Sequence, residues 1–394
     1  MKVKNFLKGK RGVYSFMAGA LVVLLLLAGL PACAPATEEE AAYDNYVASL
    51  PEGCFPVPQD CFEQAIEEGQ LNIYDWAEWW PEEIYSGFSQ EFGIEIVRDN
   101  FASEPEVLAK FKLNPEMPYD MITGLGIRTV FQMIQLDTLQ ELNHDWIPNV
   151  TENIDGSFLE FEYDPGAKYS IFSDYSFDSY WYNTNRVDDA RIPSWSAFFD
   201  PDEKYEGKIT VVDDMFRVTA AALAYLGYPI DSDNEEELMA ARDVLMELKP
   251  SIMTFDSWPK RLALEGEAWM CQGNYSDGFM MNQESDGVVT SGCPPEGSRL
   301  GTEIMSIPIG APHPAAAHLW LNYVYRPQVS ALLCGTIGYG TANSAAVDLL
   351  PEAMMEWWKG VPEGYVSNCQ VITAKALTGK GLELRTQIWE ELKG

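Results

Sequence analysis

Leu71-Asn72-Ile73-Tyr74-Asp75-Trp76-Ala77-Glu78-Trp79 is the stretch whose reading decides the fold. Residues 71–75 alternate apolar and polar side chains, the pattern of a short half-buried strand. Pro81 then stands where a first helical residue belongs, with Glu82 and Glu83 in the turn that favours acids. Ile84, Phe88 and Phe92 repeat at helical spacing, Gly93 is a plausible stop, and Ile94-Glu95-Ile96-Val97 reads as the next strand. Strand, helix and strand in this order make a β-α-β unit, so the two strands should lie parallel. A helix around 104–112 leads to a third strand at Tyr119-Asp120-Met121-Ile122-Thr123.

The later chain repeats the alternation. Lys208 to Val212 reads as a strand, and Asp213-Asp214 caps a long helix ended by Gly227. Helices are expected over 234–249, 315–324, 328–334 and, at Leu384, Ile388 and Leu392, at the end of the chain. The class is therefore α/β, in two lobes. Ligands of such sheets collect where strand C-terminal ends run into helix N-termini. That rule points to Trp76, Glu78 and Trp79, and to Asp213-Asp214.

Upstream, Lys2, Lys4, Lys8, Lys10 and Arg11 form a basic head before an apolar run from about Met17 to Leu30. This is the layout of a secretory signal. Leu30-Pro31-Ala32-Cys33 resembles a bacterial lipobox, with Pro31 a departure, so Cys33 is expected to carry lipid after cleavage. The alternative is an uncleaved anchor: Gly12 to Leu30 is 19 residues, close to the roughly 20 that span a membrane. Either way the bulk of the chain is extracytoplasmic. Residues 33–69 read as a tether and N-terminal extension, with the folded body beginning near Leu71.

Lys and Arg total 26; five sit in the basic head, leaving 21 against 60 acids and a net charge of −39. Such a surface repels nucleic acid and anionic lipid, and attracts cations. Beyond Cys33 stand Cys54, Cys61, Cys271, Cys293, Cys334 and Cys369, an even number that suits disulfides outside the cytoplasm. Six cysteines allow 15 pairings; proximity along the chain favours 54–61, 271–293 and 334–369. Catalytic motifs are lacking: the three histidines form no pattern, and no nucleophile elbow, zinc helix or phosphate loop occurs. No metal or cofactor is implied. The 12 Trp and 19 Tyr suggest another use, since aromatic faces attract alkylammonium groups at ~0.5–2 kcal/mol per contact.

The motifs resemble the spermidine/putrescine-binding proteins of ABC importers, which have the two-lobed periplasmic-binding-protein-like type II fold. The opening strand-loop-helix, Gly93-Ile94-Glu95-Ile96, Tyr119-Asp120, Ser194-Trp195 and Tyr205-Glu206-Gly207-Lys208 carry the resemblance. So do Leu226-Gly227-Tyr228, Glu265-Gly266-Glu267, Arg326-Pro327 and Ile337-Gly338-Tyr339, over about residues 70–350. It implies a first lobe of 70–179 plus 304–348 and a second of 180–303 plus 349–394. The chain would cross between them near Asp178–Tyr180 and Gly301–Met305, with the ligand in the cleft.

Carried over by motif, the ligand-binding residues implied are Trp76, Glu78, Trp79, Asp214, Glu303 and Tyr339. The departures are Gly124-Leu125-Gly126 for a Pro-Ser motif, with Arg128 nearby, Arg217 where a second acid falls, Asn274 or Tyr275 for one Trp and Gly301 for another. Arg217 would repel an ammonium but could bind a carboxylate or phosphonate; a structural ion pair is the other reading. The expected function is ligand capture for an ABC permease and ATPase by a monomeric, lipid-anchored, non-enzymatic protein. Its ligand is a polyamine or related amine, or else a zwitterion held by Arg217. A surface-anchored hydrolase using paired carboxylates is the rival from another class.

Overall fold

Parallel pairing around the opening strand organises the first half of the molecule. β1 (Gln70–Trp76) lies between β2 (Glu95–Phe101) and β3 (Met121–Leu125), parallel to both. The Glu82–Phe92 helix crosses between β1 and β2 and buries Ile84, Tyr85, Phe88 and Phe92. It stops at Gly93, whose φ of +69° suits a residue without Cβ. In this computed structural model the residues described are 38–77, 79–159 and 161–394, so the signal, Cys33 and Glu78 lie outside them. Among them no helix is long and apolar enough to cross a membrane.

β4 (Ile171–Asn183) is the long strand that joins the halves. Up to Phe177 it pairs with β9 (Leu300–Ser306); from Asp178 onward it pairs with β7 (Met270–Asn274). β5 (Ile209–Val211), β6 (Ile252–Phe255) and β8 (Val289–Ser291) complete the second half, and β10 (Gly340–Thr341) edges β4 in the first. The strand order is β2-β1-β3-β9-β4-β7-β5-β6. Antiparallel β9 and β4 sit in the middle, so chain passages concentrate there.

Each half has its own core. The first gathers aromatic side chains, with Trp80, Tyr85 and Phe88 each packed against Trp320. The second is built on Trp195, Phe198, Leu223, Leu245 and Ile388. Arg326, from the Arg-Pro motif, holds Glu91 through two hydrogen bonds of 2.7 Å and so ties the Pro327–Ile337 helix start to the Glu82–Phe92 helix. Asp120, from the Tyr-Asp motif, accepts from the backbone N–H of Asn72 and of His313 at 2.6 Å each.

Three expectations are corrected. The folded body begins well before Leu71: Tyr46, Val57, Cys61, Phe62 and Ala65 are buried in the first core. The Gln59–Glu68 helix has a clear apolar face, hidden in the sequence by flanking Pro and Glu. Second, Met354, Trp357 and Trp358 pack against the first core, not the second, which the C-terminal segment joins only from about Ile372. β9 belongs to the first half over its whole length. The first passage lies at Asp178, as expected, where its N–H donates to Arg299 O (2.9 Å); the second lies just before β9, where Gln370 bonds to Ser298 and Leu300.

Third, all six cysteines among the described residues are free thiols. Sequence neighbours have different partners: Cys54 reaches Gln328, whereas buried Cys61 faces the backbone of Ala315. Cys334 points at Gly340 O and Cys293 at Gly360 O. None of the pairs favoured by proximity is formed.

Candidate functional site

Trp76 ends β1 and turns its indole over the neighbouring strand. Its Nε1 donates to Gly124 O at 2.8 Å, and its ring lies 4.6 Å from Phe101. Gly124 has φ of +86°, and a Cβ there would stand 2.5 Å from Trp76 and 3.2 Å from Glu303 Oε2. Gly124 thus has a physical reason in this chain: only glycine lets Trp76 lie flat and Glu303 reach the same spot. Trp79 meets Tyr339 edge-on, ring centres 5.4 Å apart, and its shielded Nε1 has no hydrogen-bond partner among the described residues.

Glu303 on β9 stands opposite Asp174 on β4 in the antiparallel register. Directly opposed residues in such a pair place their side chains on one face. Asp174 is fully buried; Ser173 Oγ donates to its Oδ2 at 2.9 Å, and its Oδ1 has no partner among the described residues. Glu303 is half-buried, yet its Oε2 is also shielded and unpartnered. Burial pushes the Asp174 carboxyl up to about 8. The Glu303 carboxyl goes well above its ordinary range, through burial first and then the charges of Asp174 and Glu104.

The facing wall comes from the second half. Asp214 is the N-cap of the Met215–Tyr225 helix and accepts from Phe216 N (2.8 Å) and Arg217 N (3.2 Å). Its carboxylate also meets Arg128 Nη1 at 3.1 Å, and that guanidinium sits 4.8 Å above the Phe216 ring. Arg128 belongs to the Ile127–Gln135 helix of the first half, so this contact bridges the two. Arg217 bonds Asp178 (Nη2 to Oδ1, 2.7 Å) and Asn274 Oδ1 (3.0 Å). Arg299 takes the other oxygen of Asp178 at 2.9 Å. Burial raises the Asp178 carboxyl, but the two guanidinium groups outweigh it and hold it below its ordinary value.

Tyr339 links the walls. Its hydroxyl donates to Asp277 Oδ1 (2.9 Å) and accepts from Asn274 Nδ2 (3.0 Å). Burial lifts Asp277 to about 6, with Tyr339 and Arg217 working against it. Asn274 therefore stands in a polar chain from Asp178 through Arg217 to Tyr339, where the resembled pattern has Trp. A side chain at Gly301, the second missing Trp, would meet Arg299 at 3.4 Å and Asn274 at 3.5 Å.

Of the sequence-predicted residues, Trp76, Trp79, Glu303 and Tyr339 come together. Asp214 and Arg217 start the facing helix, each already engaged by an internal ion pair. Glu78 lies outside the described residues. Sequence reasoning missed Asp174, Asp178, Asp277 and Arg299. A signal was present for two of them: Asp174 and Asp178 stand four apart in an aromatic strand with no other acid. Among the described residues no group of three His, Cys, Asp or Glu side chains could hold a metal.

A sequence profile described as bacterial extracellular solute-binding protein matches residues 83–363. The chain is 25% identical over 341 residues to the putrescine/cadaverine-binding protein of Pseudomonas aeruginosa, covering 84% of this chain and 95% of that protein. It is 28% identical over 287 residues to the spermidine/putrescine-binding periplasmic protein of Escherichia coli, covering 73% and 81%. The crystal structure of the spermidine/putrescine ABC transporter substrate-binding protein PotD from Streptococcus pneumoniae matches with a TM-score of 0.73 at 25% identity, covering 82% and 99%.

Proposed function

This chain belongs to the bacterial extracellular solute-binding protein family, and from that premise we propose that it captures an amine, a polyamine first, for an ABC importer. The observation that carries the ligand's charge is the shielded, unpartnered Glu303 Oε2, set among Asp174 and Glu104 beside Trp76 and Tyr339. A carboxylate so placed is costly without a cation, and an ammonium supplies both the charge and the N–H donors. Trp76, Trp79 and Tyr339 would pack along the methylenes. The zwitterion alternative loses support because Arg217 is held by Asp178 and Asn274. The hydrolase alternative is set aside, since members of this family bind solutes for transport.

The protein works outside the cytoplasmic membrane, where Cys33 would anchor it beside a permease whose ATPase acts from the other side. Closure of the halves on the ligand would be a hinge motion at the β4–β9 passages. Putrescine, cadaverine or spermidine should raise the melting temperature in a thermal-shift assay, since each would bind only the folded form. No shift with any of the three at millimolar concentration, alongside a shift with an amino acid or aminophosphonate, would refute the amine reading.

A further inference from the structure

Asp174 differs from every other acid near the cleft. It has no exposure, it lies one strand from Glu303 in direct register, and one of its oxygens is unpartnered. The titratable groups coupled to it among the described residues are all acids, phenols or thiols: Glu303 on β9, Tyr325 just past the Pro314–Val324 helix, Cys334 on the Pro327–Ile337 helix, and Tyr339. Around Glu303 stand Asp174, Glu104 and Asp277, with Arg299 as the opposing charge among the described residues. Arg299, however, is already fastened to Asp178 by both Nε and Nη2. The two carboxyls therefore lie on one face of adjacent strands, and the guanidinium near them is already committed to Asp178.

Two like charges in such a site do not both persist; one proton is retained between them until something positive arrives. We propose that Asp174 is a ligand-binding residue that, with Glu303, forms a two-carboxylate seat for one primary ammonium of the ligand, and that the ammonium displaces the proton the two carboxyls share. This rests on the amine reading above and names the chemistry of one end of that ligand. A primary ammonium carries three N–H donors, enough to reach both unpartnered oxygens at once. A quaternary ammonium carries none and would leave both unsatisfied. The balance is simple: one ammonium enters, one proton leaves to solvent, and no covalent bond changes.

The test is titration calorimetry of the full-length protein with putrescine in two buffers of different ionisation enthalpy. At pH 7 the unmodified protein should release close to one proton per putrescine bound, and choline should bind at least a hundredfold more weakly. Asp174→Asn should weaken putrescine at least tenfold and abolish the proton release, while leaving the ligand-free melting temperature equal or higher. Putrescine bound by Asp174→Asn as tightly and with the same proton count would overturn the seat and leave the amine reading standing. Failure of the unmodified protein to bind putrescine, cadaverine or spermidine would overturn both. Should Asp174→Asn not fold, proton release near zero in the unmodified protein, or choline binding as well as putrescine, would each refute the proposal without it.

Discussion

Asp174 and Asp178 occupy the same strand four residues apart, and both are buried almost completely. Asp178 sits at the passage between halves with Arg217 on one side and Arg299 on the other, all its oxygens engaged. Asp174 has one serine hydroxyl and, across the ladder, another acid. The same side chain at the same depth is held ionised in one place and pushed up to about 8 in the other. Burial alone assigns no role; the neighbours do. Compensated charge at Asp178 fastens three segments at the hinge, whereas the uncompensated carboxyl at Asp174, kept from ionising, is stability given up for a ligand.

The largest effect should come from breaking the compensated site. Asp178→Asn leaves Arg217 and Arg299 without their counter-charge, which should cost about 3 kcal/mol of unfolding free energy or more, read by urea denaturation. A loss under about 1 kcal/mol would place Asp178 among ordinary surface pairs and dissolve the contrast.

The next effect reads the uncompensated site through pH. Asp174 has a folded value near 8 against an unfolded one near 4, and Glu303 moves the same way. Between these values the folded state holds the proton that the two carboxyls share and that the unfolded chain has lost. Ligand-free stability should therefore fall as pH rises from about 4 to 8, on the order of 1 kcal/mol per pH unit. Asp178 works in the opposite direction: its folded value is depressed, so its contribution is lost only as pH falls through that value. Melting curves from pH 5 to 8 should slope downward, and less steeply in Glu303→Gln. A flat profile would mean that both acids are compensated.

Much of this was legible in the sequence, and the illegible part has a physical reason. The β1-helix-β2 unit, the Asp214 cap and the aromatic cluster are local patterns, set by side-chain periodicity, helix termini and short motifs. The N-terminal helix packing on the first core escaped notice because Pro and Glu flank its buried Cys61, Phe62 and Ala65. The pairing of Asp174 with Glu303 joins residues 129 apart in number through strand register, which no local pattern encodes. Arg217 shows the limit most clearly. A lone arginine among expected acids reads equally as an anion site or an ion pair, and only the position of Asp178 decides between them.

Arg128 with Asp214 is the exposed version of the Asp178 cluster, and it sharpens the comparison by being weak. Both side chains retain about a fifth to a quarter of their exposure, so solvent screens the pair and its contribution to folding should be about 0.5 kcal/mol. Its place matters more than its strength, because it joins the first half to the helix start of the second. If a ligand ammonium approaches Asp214, Arg128 competes for the same carboxylate. Arg128→Gln should then leave the melting temperature within about 2 °C while changing putrescine affinity several-fold, in the direction of tighter binding. Weaker binding would instead make Arg128 a latch that the closed, ligand-bound form requires. In both outcomes the effect on binding exceeds the effect on folding, the reverse of Asp178→Asn. Equal, small effects on both would reduce the bridge to an ordinary surface contact.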